Sequence, residues 1–208
     1  TKLVYVALVG QTTQLYLRPM DQPDARPIAD TEGGYFPFFS PDSRWIGFIA
    51  NDKMKKVSVL GGAAVSLCDS GSEVRGACWG EDNRIYFTPY QEFLRVAATG
   101  GAAEGLRDGQ TMLPGRLTDM LPGSNEMLGW FWPAGEFQSD SGDYNPIHVY
   151  SLATKQRLKV IERGYAARFL PTGHVVFAGG SGLLAIPFTP ERRQGLVEPV
   201  PVLDGVML

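Results

Sequence analysis

Short apolar runs alternate with clusters of Gly, Pro, Asp, Asn and Ser along the whole chain, and no stretch holds the 3.6-residue spacing of an amphipathic helix. The runs are rich in Val, Ile, Phe, Tyr and Trp, residues that suit a pleated, half-buried surface. Fifteen Pro and twenty-five Gly leave little room for long helices. One phrase repeats with a step of about 40 residues. Phe39-Ser40-Pro41-Asp42-Ser43-Arg44-Trp45-Ile46-Gly47-Phe48 returns as Trp79-Gly80-Glu81-Asp82-Asn83-Arg84-Ile85-Tyr86-Phe87. Worn copies follow at Met120–Trp130 and Phe169–Phe177. Each copy reads strand, tight turn, strand, with Pro-Asp-Ser, Glu-Asp-Asn, Pro-Gly-Ser or Pro-Thr-Gly supplying the turn.

A second marker keeps nearly the same step. Gly61-Gly62 and Gly100-Gly101 occupy matching places as hairpin turns, where positive φ is needed. Strands repeating at this period, without helices, predict an all-β fold, a β-propeller of four-stranded antiparallel blades. The units expected are a partial blade, 1–34, and four fuller ones, 35–72, 73–112, 113–164 and 165–208, in a single array of about five blades. The partial unit lacks its innermost strand. The array is then either an open arc or a small five-bladed ring with one defective blade, and an arc would expose strand edges. The third unit carries an insertion, Pro133 to Pro146, rich in Gly, Ser and Asp. The chain opens directly on a strand, Leu3–Leu8, with no leader pattern, as expected of a segment cut from something longer.

Composition narrows the functional classes. A formal charge of −3 and a pI near 5.4 give no electrostatic case for nucleic acid or an anionic membrane. No run of 18 apolar residues offers a membrane span. Cys68 and Cys78 fall in the last strand of one unit and the first of the next, at opposite radii, and are expected as free thiols.

Residues that could carry chemistry are few. His148 and His174 stand in different units, and no His/Cys cluster has metal-ligand spacing, so neither a metal nor a cofactor is expected. Ser181 lies between two glycines but lacks the setting of a nucleophile elbow, so no catalytic residue is assigned. Asp42 and Asp82 match across repeats and are read as turn residues whose carboxylates accept backbone N–H groups. The binding candidates are Trp130 and Trp132, with Glu136, Asp140 and Asp143 in the insertion beside them. Alternation would place the two indoles on one strand face, either packed between blades or exposed as an aromatic patch at the rim.

These phrases allow a family comparison. Gln14-Leu15-Tyr16-Leu17-Arg18-Pro19-Met20-Asp21, Pro37 to Phe48, and Lys55-Lys56-Val57-Ser58-Val59-Leu60-Gly61-Gly62 resemble TolB-type, WD-like β-propeller repeats. Ala167 to His174, Leu184 to Phe188 and Pro199 to Val206 continue the likeness. In order, they look most like the propeller that follows the catalytic domain in bacterial serine/threonine protein kinases. That resemblance implies a non-catalytic sensor or protein-interaction segment, with a kinase domain in cis and an extracytoplasmic placement through a membrane-anchored parent. A protein or small-molecule ligand would sit on the rim or in the channel. The chain contains no Gly-rich phosphate loop of the right spacing, His-Arg-Asp or Asp-Phe-Gly, so any kinase activity would reside elsewhere. The alternatives are a TolB-like periplasmic docking propeller and the propeller of a peptidase.

Overall fold

A computed structural model describes residues 1–89, 92–108, 111–112, 115–131, 145–180, 182–189 and 198–205. The described residues form twenty strands and no helix, so the fold is all-β, built of antiparallel sheets. The chain divides into two compact units: Thr1–Tyr90 with Leu94–Gly105, and Gln91–Phe93 with Leu106–Leu208.

In the first unit, β1 (Lys2–Val9), β2 (Thr12–Pro19) and β3 (Arg26–Pro27) make a three-stranded sheet. The strands β4 (Tyr35–Phe39), β5 (Trp45–Ala50), β6 (Lys53–Ser58) and β7 (Val65–Asp69) make a complete blade in sequential order. A second complete blade follows from β8 (Val74–Trp79), β9 (Arg84–Pro89), β10 (Leu94–Ala97) and β11 (Glu104–Gly105). The second strand of each complete blade is buried on both faces, which is why β5 reads as an unbroken apolar run. Ile46, Phe48 and Ala50 pack with Leu15, Leu17 and Val57 on one side. Ile49, from the opposite face of the pleat, packs with Val74, Ala77 and Phe87 of the next blade. Gly47 leaves room for the Phe38 ring lying across it, since a Cβ there would come within 2.3 Å of that ring.

The two repeat markers differ in step because the turns differ in width. The Ser40 N–H bonds to the Trp45 carbonyl, whereas the Gly80 N–H bonds to Arg84, one residue sooner. The Gly-Gly hairpins behave alike, with φ of 97° and 109° at Gly61 and Gly62 and 90° and 133° at Gly100 and Gly101. These values lie where only glycine rests without strain.

The second unit begins with a short hairpin, β12 (Arg107–Asp108) and β13 (Thr111–Met112), which the repeat pattern does not announce. There follow β14 (Gly115–Met120), β15 (Glu126–Phe131), β16 (Asn145–Ser151), β17 (Arg157–Leu170), β18 (His174–Gly179), β19 (Gly182–Pro187) and β20 (Val200–Asp204), in one sequential sheet. β17 serves two blades. Its first half pairs with β16 as far as Gly164, and its second half pairs with β18 from Tyr165. Register shifts on both sides of that point let one strand leave one sheet and enter the next. Leu128, Trp130, Ile147, Val160, Ala167 and Phe177 pack between the two halves of this sheet, on either side of the point where β17 changes partner. Asp119 ties their inner strands, its carboxylate accepting the backbone N–H of Phe169 at 3.0 Å.

Candidate functional site

The candidate site of the first unit grows from its turns. In Ser40–Trp45, the buried Ser40 hydroxyl donates to Asp42 Oδ1 at 2.6 Å, and the Arg44 N–H donates to the same oxygen at 3.0 Å. Those two bonds, the Ser40 hydroxyl foremost, hold the Asp42 carboxyl below the usual carboxylate range. No donor among the described residues sits on Oδ2. The matching turn is wired differently. Asp82 Oδ1 accepts the Arg84 N–H at 3.2 Å, and Oδ2 accepts the Tyr86 hydroxyl at 2.7 Å. Burial first, and the bond to Asp82 second, push the Tyr86 phenol up to about 12. Gly80 replaces Ser40 there because Asp82 Oδ1 comes within 2.6 Å of where a Cβ would stand. Asp82 therefore spends both oxygens internally, while Asp42 keeps one toward solvent.

Between these turns lies a hollow of about 330 Å³, lined in part by Asp42, Trp45, Lys56, Trp79, Glu81 and Asn83. Trp45 and Trp79 form its apolar part. Trp79 is held edge-on by Phe38 at 6.4 Å. The Lys56 ammonium lies 4.6 Å from the centre of the Trp45 ring and donates to the Ala98 carbonyl at 2.7 Å, so the protein's own groups engage it. A second hollow, of about 570 Å³, shares Asp42 and Trp45 with the first and continues past Arg44 to Val59 and Leu60. Leu60 is 86% exposed. Together they form a groove that crosses the Ser40–Trp45 turn, with Trp45 at its middle.

Trp132, Glu136, Asp140 and Asp143 lie outside the described residues, as does Ser181. Trp130 is only 5% exposed, and its indole N–H donates to the Gly164 carbonyl at 3.1 Å. Arg116 covers its ring at 5.3 Å. Of the two settings expected for Trp130, packed between blades or exposed at the rim, the indole takes the first: it is packed between blade sheets and tied to the point where β17 changes partner. Phe131 points the other way, stacked on Phe93 at 5.2 Å and against Tyr150. Half-buried His148 meets Phe131 edge-on, and burial and the nearby Arg157 hold its pKa down. His174 is exposed at the start of β18. Cys68 and Cys78 are not joined in a disulfide, and burial pushes the Cys68 thiol up to about 11. Among the described residues, no three His, Cys, Asp or Glu side chains converge on one point, and no helix is long and apolar enough to cross a membrane.

Sequence reasoning missed the groove. Trp45 and Lys56 meet across adjacent strands of one blade, and blade stacking adds Trp79 from the next. The one available signal was an aromatic residue just after one turn and another just before the next.

No family model matches this sequence, and no curated protein does. Solved structures do. TolB from Acinetobacter baumannii superposes with a TM-score of 0.71 at 17% identity, over 89% of this chain and 49% of that one. An oligogalacturonate lyase in complex with manganese matches at 0.60 and 13% identity, over 93% of this chain and 60% of that one. The β-propeller domain of the Trilobed protease from Pyrococcus furiosus matches at 0.52 and 11%, over 98% of this chain and 81% of that one. At these identities the likeness establishes the fold, a TolB-like β-propeller. The chain spans about half the length of the TolB structure.

Proposed function

We propose that this chain is a non-catalytic, protein-docking β-propeller of the TolB kind, which engages its partner through the turn-bearing end of its first unit. The observation that carries the reading is the groove across Trp45. It is open, flanked by exposed charges and an exposed Leu60, and built on turns rigidly bonded to their own backbone. Binding sites favour such loops on rigid scaffolds, and aromatic and Arg side chains dominate docking energetics. The TolB likeness supports docking, although fold alone does not assign function and an oligogalacturonate lyase also superposes. A protein partner and an extracytoplasmic setting belong to the same proposal. Attachment to a serine/threonine kinase rests on the order of the sequence phrases, and the fold likeness adds nothing to it.

The test is site-specific photocrosslinking in the cell of origin. A crosslinker at Leu60 is expected to trap a discrete protein adduct. One at Asp69, at the far end of the same blade and equally exposed to solvent, is expected to trap none. Equal adducts from both positions, or none from Leu60, would refute docking at this end.

A further inference from the structure

We infer that the groove across Trp45 receives an extended polypeptide segment of the partner, with a basic residue and an acidic residue on either side of an apolar one. The inference rests on the docking reading and names the chemistry of that same site. The two hollows carry opposite charge on their open sides. Toward the following blade stand Asp42, with an oxygen left over from its turn, and Glu81. Lys56, the one cation lining that hollow among the described residues, is drawn inward onto Trp45 and the Ala98 carbonyl. Toward the preceding sheet the exposed cations are Arg44 and Lys2, beside exposed Leu60, while Asp42 borders both hollows. Trp45 is common to both hollows.

A groove that is acidic at one end, aromatic in the middle and basic beyond it is complementary to a strand-like segment of matching order. In an extended chain, residues i, i+2 and i+4 share one face. A basic side chain at i would lie between Asp42 and Glu81. An apolar side chain at i+2 would rest on Trp45 and Leu60, and an acidic one at i+4 would meet the Arg44 guanidinium. A planar cation near an indole edge and two carboxylates is a favourable setting for Arg in particular.

Three capped pentapeptides test this: Arg-Ala-Leu-Ala-Glu, Glu-Ala-Leu-Ala-Glu and Arg-Ala-Leu-Ala-Arg, each acetylated and amidated. Binding to the intact chain is read from tryptophan emission and from the indole N–H resonances. The mixed-charge peptide is expected to bind saturably and at least tenfold more tightly than the other two. Asp42→Asn keeps the oxygen that the Ser40–Trp45 turn uses, so the fold is preserved. That change and Arg44→Gln are each expected to weaken the mixed peptide about tenfold. Equal binding of the three peptides, or binding unchanged in both variants, would overturn the inference. The docking reading fails separately. A Leu60 adduct that survives both substitutions overturns the charge chemistry and leaves docking standing. Loss of the adduct in both variants supports the inference.

Discussion

Replacing Trp130 separates a structural indole from a docking one. The ring is 5% exposed and its N–H donates to a carbonyl that is itself buried, that of Gly164, at 3.1 Å. Trp130→Phe keeps an aromatic ring but orphans that carbonyl. An unpaired buried acceptor costs about 1–3 kcal/mol, and the smaller ring adds a modest cavity term. We expect a loss of about 2 kcal/mol. Trp130→Ala should cost about 3–5 kcal/mol, because the whole ring leaves the contact between two sheets. The assay is urea unfolding followed by circular dichroism. With a slope of about 2 kcal/mol per molar urea, the Phe variant should unfold about 1 M earlier. Peptide binding in the groove of the other unit should not change in the Phe variant. A midpoint within the equivalent of about 0.5 kcal/mol of wild type, the range of an ordinary surface change, would refute the reasoning. Loss of peptide binding at unchanged stability would return Trp130 to the docking candidates.

Three further expectations follow from particular contacts. Asp119 has a raised pKa, chiefly through burial and partly offset by Arg168 and the Phe169 N–H. A carboxyl whose folded pKa is raised loses stability as pH climbs from the ordinary carboxylate value through the folded one. Asp119→Asn should remove that decline in urea midpoints measured from pH 3 upward, while Asp119→Ala, which orphans the Phe169 N–H, should cost about 1–3 kcal/mol at pH 7. Gly129→Ala would set a Cβ 2.3 Å from the Arg116 carbonyl oxygen on the neighbouring strand, a backbone atom that yields only if the strands part. A loss of about 1–3 kcal/mol in thermal or urea unfolding is expected. The Cys68 thiol, pushed up to about 11 by burial, should react with a disulfide reagent at pH 8 about a hundredfold more slowly than free cysteine, since the thiolate is the reactive form. Reaction at the free rate would show that the thiol is not held as described.

The strands were legible because their physics is local. β5 occupies Trp45–Ala50, the range its apolar run predicts, and the end of β4 and the starts of β9 and β18 lie within a residue or two of the turn chemistry. Alternation and turn residues act within a few positions of one another, so a single sequence carries them. The short hairpin β12–β13 was not legible, since two-residue strands leave no periodic trace. Nor was the passage of β17 from one blade to the next. The chain continues extended from Gly164 into Tyr165, where its partner changes from β16 to β18. A run of fourteen strand residues tells nothing about which neighbour each half has chosen.

By itself, then, the sequence determined an all-β chain, its repeat and the turns that punctuate it, because each depends on backbone preferences of a few adjacent residues. Tertiary structure alone decided which aromatics are buried and which meet solvent. Trp130 and Trp45 each sit on a blade strand beside other apolar residues, yet one bonds Gly164 between sheets and the other stands in an open groove. That difference depends on which sheet packs against each face and on whether the neighbouring turn is one residue wider, quantities set by long-range packing. The charges along the groove have the same origin in part: Asp42 and Arg44 share one turn, and Glu81 joins them only when consecutive blades stack.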